Sequence, residues 1–115
     1  MAIKKILTEP NTLLRQISQP IEKVGEPERE LMNDMLETMY AANGIGLAAI
    51  QIGVPKRIIV LDLSKEENKK LPMYFANPVI TKKNVEKTTY EEGCLSVPNQ
   101  FAEIDRSSKC EVEYL

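Results

Sequence analysis

The stretch "GEPERELMNDMLETMYAANG", residues 25–44, decides the fold. Leu31, Met32, Met35, Leu36, Met39 and Tyr40 recur at the three- and four-residue intervals that bring side chains onto one helical face. Pro27 suits a first helical turn, and Glu26, Glu28 and Glu30 suit the positive end of a helix dipole. Asn43-Gly44 supplies a stop. The spacing predicts a helix over about 27–42 with its methionines in the core.

Upstream lie short apolar pieces broken by Pro10 and Pro20, with "NTLLRQIS" read as a short helix capped by Asn11 or Thr12. Downstream the character changes. "GLAAIQIG" and "KRIIVLDLS" read as strands separated at Gly53-Val54-Pro55, and "EENKK" reads as a polar turn. "MYFANPVITKKN" reads as one strand carrying a proline, hence an edge or a bulge. "VEKTTYEEG" alternates as a strand does, and "FAEIDRSSKCEVEYL" gives one or two more. On the last, Cys110, Val112 and Tyr114 share a face opposite Glu111 and Glu113, so Cys110 is expected to be a buried strand residue. A helix first and many strands after it predict an α+β fold: an N-terminal helix followed by mostly antiparallel β-strands. The chain reads as a single domain over 1–115. It ends at Leu115 inside an apparent strand, so the domain is expected to be C-terminally incomplete.

The bulk numbers narrow the function classes. Hydrophobic residues make up 43% and charged residues 28% of 115, which is a globular composition able to bury a core. A net charge of −2 with scattered lysine pairs offers no polyanion-binding surface, so DNA is not expected as a partner. The opening "MAIKKILTEPN" has no apolar run after its lysines, and no stretch approaches membrane-spanning length. A cytoplasmic setting is expected, with no membrane partner and with the two cysteines reduced rather than paired.

Two motifs carry chemistry. "GIGLAAIQ", residues 44–51, lacks the third glycine, the preceding strand and the following helix of a dinucleotide fingerprint, and no Gly-Lys-Ser/Thr follows it. It reads as a tight helix-to-strand turn, except for Gln51. A glutamine in a buried segment needs partners, and its amide can donate to a developing oxyanion. "EGCLS", residues 92–96, sets Cys94 in an acidic, glycine-marked turn. As a nucleophile Cys94 would want a histidine, and the chain contains none. As a thiolate it supplies one of the three protein ligands of an open catalytic metal site, leaving two to come from elsewhere. The bland alternative is a packed core residue.

Together the two segments resemble the peptide deformylase family, whose pattern is G-x-G-L-A-A-x-Q, then E-G-C-L-S, then H-E-x-x-H on a C-terminal helix. The resemblance extends over "ILTEPNTLLRQ", "RIIVLDLS", "FANPVI" and "SVPNQFAEIDR", nearly the whole chain. The third motif has no counterpart here. The resemblance implies a hydrolase that removes the formyl group from the initiator methionine of new proteins. It implies a divalent metal, iron(II) foremost with zinc or nickel as alternatives, held by Cys94 and by two histidines this chain lacks. Catalytic roles fall to the Gln51 amide and the Leu95 backbone N–H, which would hold the oxyanion. Substrate would lie along Ile45-Gly46 and Gly93, where the glycine leaves room for its backbone, and Ile45 and Tyr90 would line half of the methionine pocket. Glu92 paired with Arg106 would support the Cys94 loop. Phe101 stands where some members carry a peptide-steadying arginine. Partners implied are N-formylmethionyl nascent peptides and the ribosome exit region.

For this chain alone the expectation is negligible activity, weak metal binding and an exposed apolar sheet face. The rival reading is a non-catalytic relative that keeps the peptide cleft without the metal site. A zinc-stabilised domain using Cys94 and Cys110 has too few ligands unless a dimer supplies four.

Overall fold

The computed structural model describes residues 3–64, 70–83 and 85–115, without the side chain of Asn99. The turn expected at "EENKK" falls almost wholly outside the described residues. One helix, α1 (Glu26–Ala41), precedes seven strands: β1 (Gly46–Ala48), β2 (Ile58–Leu61), β3 (Met73–Ala76), β4 (Val79–Lys83), β5 (Lys87–Cys94), β6 (Val97–Ser107) and β7 (Cys110–Glu113). Pairing among the strands is antiparallel throughout, in three sheets: β1-β2-β3, β4-β7 and β5-β6. The fold is α+β, as its sequence predicts.

α1 starts where Pro27 and the acidic residues place it. The Glu28 carboxylate reaches back to accept from the Gly25 N–H at 2.9 Å, occupying one of the free amides of the first turn. Asn43 takes the left-handed conformation that ends the helix, at φ 58°. Gly44 serves a different purpose: a Cβ there would lie 2.7 Å from Leu95 Cδ1. The glycine lets the turn after β5 dock on the helix end.

The buried face of α1 carries Met32, Met35, Thr38 and Met39. They pack with Leu47, Ala49, Ile58, Val60 and Ala76, from β1 to β3 and the turn after β1. Burying each large side chain contributes roughly 1.5–3 kcal/mol, so this layer holds most of the stability. A short 3-10 helix at Thr12–Arg15 is capped by the Asn11 side chain, which accepts from the Leu13 N–H at 2.9 Å.

Three expectations need correction. "GLAAIQIG" is a strand only over Gly46–Ala48; Ala49–Ile52 is a 3-10 turn. The cause is local, because the Gln51 Oε1 accepts from the Ala48 N–H at 3.0 Å, which folds the backbone back on itself. "MYFANPVITKKN" is two strands rather than one. Asn77 breaks it, at φ 52°, with its carboxamide bonded both ways to the Ile21 backbone at 2.8 and 2.7 Å. Finally, Cys110 is exposed rather than buried. β7 pairs with β4, whose residues are all exposed, and the face expected to be covered is open: Val112 and Tyr114 are 39% and 57% exposed.

Candidate active site

Gln51 and Cys94, 43 residues apart, meet. Gln51 leaves the short turn after β1 with its carboxamide oxygen on the Ala48 N–H. An N–H can only donate, so the atom facing it must be the oxygen, and the NH2 end faces the other way. That end donates to Ser96 Oγ at 3.1 Å and lies 3.8 Å from Cys94 Sγ. The thiol is free and exposed.

Cys94 sits at the tip of the β5-β6 hairpin, where the register shifts: Gly93 faces Phe101, and Cys94 faces Val97. The loss of regular pairing turns the following Leu95 inward. Leu95 packs half-buried against the core, beside Met39 and the bare Cα of Gly44. At Gly93 the room is not empty. A Cβ there would lie 2.7 and 2.8 Å from the Phe101 ring, so the glycine makes space for that aromatic on this face. Cys94, Gly93, Val97, Phe101 and Ile104 line an open hollow of about 380 Å³ with Glu92 and Arg106 at its wall. Ile45 and Tyr90, 66% and 70% exposed, are not in it. A larger hollow of about 480 Å³ between α1 and β3 is lined by Val24, Arg29, Tyr74 and Leu115 among others, and its lining side chains offer no thiol or carboxylate. The side-chain chemistry makes the Cys94 hollow, rather than the larger concavity, the candidate site.

Arg106 grips Glu92 with two hydrogen bonds, Nε and Nη2 to the two carboxylate oxygens at 2.7 and 2.8 Å. The Arg106 hydrogen bond holds the Glu92 carboxyl below the usual carboxylate range, and the guanidinium is raised in turn. The two residues stand on paired strands with Tyr90 and Ile104 between them, so the ion pair ties the two strands of the hairpin together.

On the other side, Gly46 lies in β1, an edge strand paired with β2 alone. The Ile45 carbonyl accepts from the Asp62 N–H at 2.9 Å. Asp62 is buried and accepts from the Tyr40 hydroxyl at 2.5 Å and from the Ser64 and Leu71 N–H groups at 2.9 and 3.0 Å. Burial, then the Asp62 hydrogen bond, pushes the Tyr40 phenol up to about 12, while the Tyr40 hydrogen bond foremost lowers Asp62.

The residues present do not fit a complete metal centre. Among the described residues no three of His, Cys, Asp and Glu come together in a group able to hold an ion, and Glu92 is committed to Arg106. Cys94 is the one soft donor beside Gln51. Ser96 was not singled out from sequence; it is 4% exposed and binds Gln51. A serine in a four-residue turn carries no periodicity that would have marked it. Among the described residues no helix is long and apolar enough to cross a membrane.

The polypeptide deformylase family model matches residues 3–115. The peptide deformylase of Pelagibacter ubique is 71% identical over 115 residues, covering all of this chain and 67% of that protein. That of Phenylobacterium zucineum is 56% identical, covering all of this chain and 68% of that protein. The chain thus spans about two thirds of the length of these relatives. A crystal structure of peptide deformylase from Ehrlichia chaffeensis in complex with actinonin superposes with a TM-score of 0.93 at 41% identity, covering 100% of this chain and 69% of that one. The Thermotoga maritima enzyme gives 0.90 at 35%, covering 99% and 74%. With sequence and fold in agreement, the chain belongs to the polypeptide deformylase family.

Proposed function

We propose that this chain is the part of a peptide deformylase that orients the formyl group of an N-formylmethionyl peptide for hydrolysis. The observation that carries the reading is the Gln51 carboxamide, fixed by the Ala48 N–H so that its NH2 end lies 3.8 Å from Cys94 Sγ. A donor so placed costs nothing to reorganise when charge develops on a carbonyl oxygen, and one such donor is worth ~3 kcal/mol of barrier. The backbone N–H of Leu95 is the second donor in this reading.

The peptide would add as an extended strand against the open edge of β1 at Ile45-Gly46 and along Gly93, a β-augmentation. Ile45 and Tyr90, both exposed, would contribute apolar contact to the methionine side chain. Glu92 and Arg106 would keep the Cys94 hairpin rigid. Residues 1–115 would belong to one domain.

Family membership also suggests a divalent metal, iron(II) foremost, with Cys94 as one ligand; when bound it would activate a water. Two imidazoles and a proton-handling carboxylate would have to come from outside these residues, so the 115-residue chain should bind peptide without hydrolysing it. Nascent chains at the ribosome exit, in the cytoplasm, are the substrates that fit.

The test is an NMR titration of the isotopically labelled chain with formyl-Met-Ala-Ser. Shifts are expected at Gly46, Gly93, Leu95 and the Gln51 side chain, and formate release with added iron(II) or nickel(II) should be negligible. Shifts confined to other surfaces, or robust turnover, would overturn the reading.

A further inference from the structure

The Gln51 carboxamide is held at both ends, by the Ala48 N–H and by the Ser96 hydroxyl. Rotation of a glutamine carboxamide about its last bond is broad and shallow, so one hydrogen bond leaves the group free to swing. The oxygen is fixed by Ala48. The nitrogen meets the Ser96 hydroxyl at 3.1 Å, closer than it meets the thiol. An amide nitrogen carries two protons. With one on Ser96 Oγ, the other is directed to the side where Cys94 lies.

Ser96 is itself fixed. It is 4% exposed, and its carbonyl accepts from the Glu9 N–H at 2.8 Å. Two residues earlier in the same segment, the Leu7 N–H donates to the Gln51 carbonyl at 2.6 Å. One N-terminal segment thus pins the backbones of both partners, which come from different parts of the chain. Leu95, next to Ser96, is pressed on the core at Gly44. The hydroxyl is therefore presented to the carboxamide from a fixed position.

We propose that Ser96 is a positioning residue whose buried hydroxyl accepts a hydrogen bond from one N–H of the Gln51 carboxamide and so aims the other N–H at the reacting oxygen. The role rests on the proposed function of Gln51. A buried hydroxyl merely satisfied by the nearest amide is the competing explanation, and it predicts a loss of stability alone.

The test reads the carboxamide directly in the full 115-residue chain. The Gln51 side-chain NH2 pair is assigned by its disappearance in Gln51→Ala. In the unsubstituted chain its two proton resonances should be separated more widely than those of a free glutamine amide, whose stiff C–N bond already keeps them apart, and should exchange slowly with water. In Ser96→Ala and in Ser96→Cys, which keeps the shape but is a poor acceptor, the separation should fall back to that of a free glutamine amide and exchange should quicken about tenfold or more. Ser96→Thr should restore both. Ile58→Val, which lowers stability elsewhere, should leave the pair unchanged. A pair unmoved in Ser96→Cys, or moved equally by Ile58→Val, would overturn the proposal. A second arm adds formyl-Met-Ala-Ser: the shift at Gln51 should weaken in Ser96→Cys and return in Ser96→Thr, and an equal shift in all three would overturn the role. No binding by the unsubstituted chain would count against the proposed function, while the first arm still decides whether Ser96 holds the amide.

Discussion

The layer formed by α1 with β1 to β3 and the hairpin formed by β5 and β6 are built on opposite terms. With the turn after β1, the first contains the buried apolar core of the described residues, from Met32 to Ala76. In the second, β5 is exposed along almost its whole length, with only Glu92 half-buried. Yet the proposed site draws on both: Gln51 comes from the packed layer and Cys94 from the open hairpin. Their connection is narrow. Leu95 docks at Gly44, and Ser96 binds Gln51. A site built this way has one wall set by packing and one set by a few directional contacts, so substitutions in the two regions should be felt differently.

The largest effect should come from the packed side. Met35 is fully buried, and Met35→Ala should cost about 2–5 kcal/mol. Ile104→Ala in the hairpin should cost well under half of that. Urea denaturation followed by circular dichroism makes the comparison, and equal losses would break it. Next comes the join. In Gly44→Ala the new methyl meets Leu95 Cδ1, at an expected cost of about 1–3 kcal/mol. Amide shifts should concentrate at Leu95 and Ser96 rather than spread through α1.

Smaller effects follow from the two charged clusters, one in each region. Tyr40 is raised to about 12, so its neutral form is favoured by the fold. That contribution is complete below the ordinary tyrosine value near ~10 and lost as pH rises from there through about 12. Phenolate absorbance should show one of the four tyrosines ionising last, and Tyr40→Phe should remove that step. Glu92 is shifted the other way. Its pairing with Arg106 is present above the ordinary carboxylate range and is lost as pH falls through the depressed value of the folded state. The pair is largely exposed, so little global stability should change. The signal to follow is the Arg106 Nε–H, slow to exchange near neutral pH and fast in acid or in Glu92→Gln.

The same division explains what could be read from the sequence. α1 was legible because its methionines repeat at helical spacing and its ends carry a proline, acidic residues and Asn43. The strands were legible as a set but not in their breaks. Gln51 and Asn77 bend the chain through side-chain hydrogen bonds, with Ala48 and with Ile21, that no alternation pattern encodes. Cys110 alternates as a buried residue does, but burial needs a covering layer, and β4 offers none. At the site, Gln51 and Cys94 stood out as a polar amide and a thiol in motif-like surroundings. Ser96 and the N-terminal segment that pins it did not, because their part depends on contacts between residues far apart in the chain.

In the proposed function Gln51 and Cys94 are the working pair of a deformylase site. The most direct measurement joins this chain to the unmatched remainder of the Pelagibacter ubique relative and follows formate release from formyl-Met-Ala-Ser with iron(II) or nickel(II). Release is expected, abolished in Cys94→Ala and reduced roughly 10²–10³-fold in Gln51→Ala. A folded chimera that releases no formate, or one whose activity ignores both substitutions, would contradict it.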